Sequence, residues 1–159
     1  ASAIPIPAEI QKMIDESALK MLGYIGSQYP SLNAEEKRLV NDKPVEAAVG
    51  FYDALIAERK AEEFYPNSKK NGPSDAFRHY VWSGLLVRDL GEESARKFLN
   101  AHENTPGQPL IEKNMDLFNN EQGISAAKDL MEKEYFNNTA FFNKAQSDLR
   151  SGKLRIIAK

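Results

Sequence analysis

The sequence predicts an all-α fold, a single compact orthogonal bundle of about six to eight helices, and three observations carry that expectation. Apolar residues recur at three- and four-residue spacing along most of the chain, the period of a half-buried helix. Helix-starting residues precede these stretches, and Gly or Pro follows most of them. Only Leu154–Ile157 has strand-like composition, and one short strand makes no sheet.

The first helix is expected after Pro7, with Ile10, Met13, Ile14, Ala18, Met21, Leu22 and Ile25 on one stripe, and Tyr29-Pro30 closing it. Asn33 with Glu36 three residues on reads as a capping box for a short helix ending near Val40. Asp42 before Lys43-Pro44 is placed to cap a longer helix to about Phe64, with Val45, Ala48, Val49, Tyr52, Leu55 and Ile56 inward. The polar stretch from Pro66 to Pro73 is a loop. Ser74 is expected to cap a helix from Asp75 to about Leu90, stopped by Gly91. A further helix runs from Glu92 to about Glu103. The next starts at Pro109 and stops near Asn120, with Gly123 as its left-handed terminator. Two more are expected near Ser125–Phe136 and Thr139–Ser151. Residues 1–159 read as one domain, with 1–6 an extended arm and 154–159 a docked tail.

With 159 residues, 42% hydrophobic and 28% charged, the chain has enough apolar surface for its own core. A formal net charge of −2 offers no general attraction for phosphate backbones, so nucleic acid is disfavoured as a partner. The absence of cysteine removes disulfides, thiol nucleophiles and thiolate metal sites together. No apolar run reaches the roughly 20 residues of a transmembrane helix. Ala-Ser-Ala followed by Ile4-Pro5-Ile6-Pro7 reads as the start of an exported chain after leader removal, giving a secreted or periplasmic expectation.

The chemistry is expected between Asp75 and Asn120. The helix from Asp75 is apolar on nearly every side, yet Asp75, Arg78 and His79 share one face of its first turns. Burying an acid, a guanidinium and an imidazole costs several kcal/mol unless they satisfy one another. On the next helix His102 falls on the core-facing stripe with Ala95, Phe98 and Leu99, and Glu103 at its edge. The chain's two histidines therefore face inward on consecutive helices joined by a tight turn. After Pro109, residues Leu110, Ile111, Met115, Leu117 and Phe118 form the apolar arc. Glu112, Asp116, Asn119 and Asn120 take the opposite side, either as a solvated face or as the wall of a cleft opposite the histidines.

Three strings carry a resemblance: Asn71-Gly72-Pro73-Ser74-Asp75-Ala76-Phe77-Arg78-His79, then Ala101-His102-Glu103, then Met115-Asp116-Leu117-Phe118-Asn119-Asn120-Glu121-Gln122-Gly123. They resemble the signature blocks of an uncharacterised family of small helical domains. That family occurs in bacterial exported and cell-surface proteins and in polymorphic-toxin-like chains. The resemblance covers Asn71 to Gly123. It implies that Asp75, Arg78, His79, His102, Glu103, Asp116, Asn119 and Asn120 form one site, and it supplies no reaction. Two positions depart from the pattern: Tyr80, where a small residue is usual, and Phe118, where a histidine is expected.

Two functional classes follow. The first is an exported hydrolase or toxin-like effector acting on a phosphodiester, phospholipid or cell-wall substrate. In it, His79 or His102 is the general base, Glu103 or Asp116 orients it, and Arg78 with the amides of Asn119 and Asn120 stabilises an anionic transition state; Asp75 and the two asparagines bind substrate. No cofactor is expected in this form; its variant is a zinc-type hydrolase with His79, His102 and Asp116 as ligands and Glu103 as base. The second class is a non-catalytic binding or immunity-type domain with a protein partner, whose polar cluster merely fixes three helices together.

Overall fold

The computed structural model describes Ala8 and residues 29–158. The expected arm at 1–6 and the expected helix through Ile10–Ile25 lie outside the described residues. A 3-10 turn at Tyr29–Ser31 leads into six helices: α1 (Ala34–Asp42), α2 (Pro44–Phe64), α3 (Pro73–Leu90), α4 (Glu92–Glu103), α5 (Leu110–Glu132) and α6 (Asn138–Arg150). No strand occurs among the described residues, and the all-α bundle stands as expected. None of these helices is long and apolar enough to cross a membrane.

Helix α3 is the axis of the bundle. Its apolar residues point in all directions because α2, α4, α5 and α6 all pack on it. Phe77, Tyr80, Val81, Leu85 and Leu86 are fully buried, and Phe141 of α6 stacks on Tyr80 with ring centroids 5.5 Å apart. The Tyr80 hydroxyl donates to Asp148 Oδ2 at 2.6 Å, which satisfies a large side chain where the resembling family carries a small one.

The capping box at Asn33 and Glu36 forms as expected, and Asn33 also donates from Nδ2 to the Ala101 carbonyl at 2.7 Å, tying α1 to the end of α4. Gly91 turns α3 into α4 at φ 82°, the left-handed region that glycine enters without strain.

Four local expectations are corrected. Asp42 ends α1 instead of capping α2, which starts at Pro44 with no side-chain cap. On the inner face of α2 Ala48 and Val49 are buried and Tyr52 and Ile56 pack on the core as expected, but Val45 is exposed and the small residues Ala47, Gly50, Ala57 and Ala61 are buried in addition. Ser74 lies inside the first turn of α3, whose N-cap is Gly72; the capping acceptor is Asp75, which takes the Asn71 N–H at 2.6 Å.

The fourth correction concerns α5, which runs unbroken through Gly123 to Glu132. A Cβ at Gly123 would lie 2.1 Å from the Tyr80 carbonyl oxygen, so this glycine serves helix contact and not helix termination. The Ser83 hydroxyl bridges the same contact, its one proton shared between the carbonyls of Tyr80 and Asn120 at 2.9 and 3.0 Å.

The C-terminal tail docks as expected. Leu154 is buried, the Arg155 N–H donates to Asn119 Oδ1 at 2.8 Å, and the N–H groups of Ile157 and Ala158 both donate to the Asn71 carbonyl.

Candidate functional site

Helices α3, α4 and α5 bring the polar residues of the three sequence blocks to one place. On α5 the solvated-face alternative fails and only part of the expected apolar arc holds: Met115 is buried, but Leu110 and Ile111 are 71% and 63% exposed, while Asp116, Asn119 and Asn120 are buried. The reason is the Gly123 contact with α3, which turns the polar side of α5 inward. On α4 a similar exchange occurs. Glu103, expected at the edge, is only 1% exposed, whereas His102 is half-exposed at the surface of the cluster.

His79 is the centre. Its ring is 2% exposed, with Nε2 3.4 Å from Asp116 Oδ1 and Nδ1 3.9 Å from Glu103 Oε1. Nδ1 also faces Asn120 Oδ1 at 3.3 Å, and the Arg78 guanidinium reaches to 3.5 Å from Nε2. Arg78 in turn donates to Asp75 Oδ1 at 3.3 Å, and the Gln108 amide donates to Asp116 Oδ2 at 3.2 Å. The two histidine rings stand 6.2 Å apart, so the neighbourhood expected from the short turn is realised.

His102 belongs to a different subset. Its Nδ1 meets Glu36 Oε2 at 3.2 Å, and its ring lies edge-on to Trp82 at 5.2 Å. It does not converge with His79 and Asp116 as the zinc-type expectation required. The group that does converge is His79, Glu103 and Asp116, whose donor atoms lie within 4.8 Å of one another. The correction follows from α4 geometry: adjacent residues point about 100° apart on a helix, so burying Glu103 sends His102 outward.

Asn119 is also separated from the site. Its Nδ2 donates to the Arg155 carbonyl while its Oδ1 accepts from the Arg155 N–H, so both ends of the amide are taken by the tail. Phe118 lies under the Arg155 guanidinium at 4.5 Å, again on the tail side, so the histidine position of the resembling family is not part of the pocket here.

An open pocket of about 380 Å³ ends on this cluster. Asp75, Arg78, His79, His102, Gln108 and Asp116 line it, and Lys70 and Glu112 stand at its edge. Its rim at 105–109 is the Thr105-Pro106-Gly107 turn and the segment leading into α5. The sequence reading missed Glu36, Gln108 and Asn71. Glu36 was assigned to its cap, which uses only Oε1 and leaves Oε2 for His102. Asn71 opens the first sequence block; its Nδ2 donates to Glu112 Oε1 at 2.6 Å and its carbonyl holds the tail.

The electrostatics follow from burial. Loss of water, reinforced by the positive charges of Arg78 and His102, holds the His79 pKa well below the ordinary imidazole value, so its neutral form dominates at pH 7. Burial, with the nearby Asp116 charge, pushes Glu103 up to about 7. Asp116 rises to about 6, mainly through burial, with Arg78 opposing. Burial works against a charged His102, but the Glu36 hydrogen bond and charge outweigh it and raise the His102 pKa. The site thus pairs a neutral buried imidazole and two carboxyls raised toward neutral pH with a second, more readily charged imidazole across the pocket.

Neither oxygen of Glu103 has a hydrogen-bond donor in bonding geometry among the described residues, and Asn120 Nδ2 is likewise without an acceptor. Gln108 compensates the Glu103 charge only weakly. Polar groups buried this way are rare and costly, at about 1–3 kcal/mol each.

No curated protein and no solved structure shows significant similarity to the chain. Residues 37–153 match a family described as a domain of unknown function, DUF6973, which spans α2 to α6, the pocket and all three sequence blocks. The chain belongs to that uncharacterised family.

Proposed function

We propose that the protein is a hydrolase acting on an anionic ester, of the phosphodiester or phospholipid class, bound in the pocket above His79. The observation that carries this reading is the placing of the buried His79 and Asp116 at the floor of an open pocket, with the buried Glu103 behind them. Arg78 and His102 form a cationic wall above that floor, suited to an oxyanion, and Lys70 adds charge at the mouth.

In the reaction a water at the floor attacks the phosphorus or carbonyl centre and gives its proton to the His79–Glu103–Asp116 group. The bond to the leaving oxygen breaks, and that oxygen takes a proton from His102, which Glu36 helps keep charged. Arg78 neutralises charge developing on the non-bridging oxygens. Asn120 orients His79, and Asp75 holds Arg78.

The full chain should therefore turn over at least one member of a panel of bis(p-nitrophenyl) phosphate, p-nitrophenyl phosphate, p-nitrophenyl esters and anionic phospholipid vesicles. His79→Ala should lower the rate at least about 100-fold, the scale of a lost acid–base group, with the helical circular dichroism retained. Arg78→Ala should lower kcat as well as raise KM, because Arg78 both binds the anion and meets the charge that develops in the transition state. A folded protein inactive on the whole panel, or a His79→Ala variant as fast as the parent, would remove the hydrolase reading in favour of a binding domain.

A further inference from the structure

We infer that His79, Glu103 and Asp116 bind one divalent cation of the Mn²⁺ or Zn²⁺ type, through one imidazole nitrogen and one oxygen from each carboxylate. The three donor atoms lie within 4.8 Å of one another. Ligands held at about 2.0–2.2 Å in a tetrahedral shell stand about 3.3–3.6 Å apart. His79 Nε2 is already 3.4 Å from Asp116 Oδ1. Small side-chain rotations bring such a set onto a cation.

A second observation points to a ligand independently of this clustering. Glu103 is 1% exposed and aimed at the cluster, yet neither of its oxygens accepts a hydrogen bond among the described residues. The imidazole adds to the mismatch. A neutral histidine has one donor and one acceptor nitrogen, and here each nitrogen has a carboxylate oxygen beside it. With Nδ1–H directed at Asn120 Oδ1, the Nε2 lone pair faces Asp116 Oδ1, with only the Arg78 guanidinium 3.5 Å away to answer it. A cation at Nε2 would take that lone pair and the Asp116 oxygen together.

The surroundings suit a metal histidine. A ligating imidazole commonly donates its other N–H to a carbonyl or carboxylate oxygen, and Asn120 Oδ1 is placed for this at 3.3 Å from Nδ1. The Gln108 amide on Asp116 Oδ2 leaves Oδ1 for the cation. One nitrogen with two oxygens favours first-row transition ions over Ca²⁺ and Mg²⁺, which take oxygen shells. Three protein ligands beneath an open pocket leave coordination positions for water, the arrangement of a catalytic and not a structural site. The inference deepens the hydrolase reading by naming what activates its water, yet binding can be measured without any turnover.

The test is calorimetric titration of the chelator-stripped full chain with MnCl₂ and ZnCl₂. One cation per chain is expected, with affinity weakened at least about 10-fold in Glu103→Gln and in Asp116→Asn and unchanged in Glu93→Gln on the exposed side of α4. The wild-type chain gives a second readout: Zn²⁺ should shift the ring ¹⁵N resonances of one of its two histidines, needing no variant to fold. No binding at millimolar cation, or equal binding in both folded carboxylate variants with neither histidine shifted, overturns the site. Hydrolysis that persists in chelator without cation binding would sink the metal and keep the hydrolase. Binding without hydrolysis on the panel would do the reverse.

Discussion

Two stretches of the α3–α5 interface, one helical turn apart, treat buried polar groups in opposite ways. Beside Gly123 and the tail every such group is answered: Ser83 bridges two carbonyls, Asn119 is paired at both ends with Arg155, and the Tyr80 hydroxyl reaches Asp148. Around His79 the accounts stay open, with Glu103 and the Asn120 Nδ2 unanswered among the described residues. Adjacent residues of one helix, His79 and Tyr80, belong to the two regimes. The proposed cation site gives the unsatisfied region a physical reason, since a bound cation would answer the Glu103 carboxylate.

The largest effect is expected at the contact that holds both regimes together. Gly123→Ala puts a methyl group against the Tyr80 carbonyl and Ser83 Oγ, where backbone cannot yield. Separating α5 from α3 should cost about 3 kcal/mol or more, read as a large fall in the urea midpoint. It should also move Asp116 and Asn120 away from His79. A variant that melts like the parent would mean that α5 is not seated as described.

The satisfied region alone is probed by Asn119→Ala. Two buried hydrogen bonds to Arg155 are lost, a cost of about 2 kcal/mol. The tail should become sensitive to trypsin at Lys153 and Arg155, while the pocket keeps its shape. If hydrolysis or cation binding collapsed in a variant that melted normally, Asn119 would belong to the site after all, as the family resemblance implied.

Much of this was legible in the sequence, and the failures share one cause. The all-α class, the Asn33–Glu36 capping box, the Gly91 turn and the three polar blocks follow from local spacing and capping chemistry. What local pattern could not give was facing. On α5 the apolar residues Leu110 and Ile111 looked like the core side, and for Asp116, Asn119 and Asn120 spacing left a solvated face and a cleft wall both open. A glycine seven residues after Asp116 decided otherwise through a contact with α3, remote in sequence. Likewise Glu103 and His102 exchanged places because the end of α4 is fixed by Asn33 on α1. Periodicity finds the stripe of a helix when burial is apolar; where burial is polar it points the wrong way, and a functional site is where burial is polar.

The smallest expected change is the one that divides the readings most cleanly, because its sign differs from the rest. Glu103→Gln keeps the shape of the side chain and removes a buried charge that lacks donors. In chelator-stripped protein it should raise stability by about 1 kcal/mol, whereas Gly123→Ala and Asn119→Ala lower it. The gain should depend on pH. The carboxyl of Glu103 titrates near 4.5 in the unfolded chain and about 7 in the folded one, so the native state holds the proton more tightly. Its cost to stability is then absent below pH 4.5, grows as pH rises through that window, and is full above 7. The melting temperatures of variant and parent should therefore coincide near pH 4.5 and separate by pH 8, the variant higher. Saturating Mn²⁺ or Zn²⁺ should narrow or reverse the difference, since the parent gains more binding energy from the cation than the weaker-binding variant. A Glu103→Gln variant that melts below the parent at pH 8 in chelator would show that Glu103 is a satisfied structural group, and the difference between the two regions, with the functional reading built on it, would disappear.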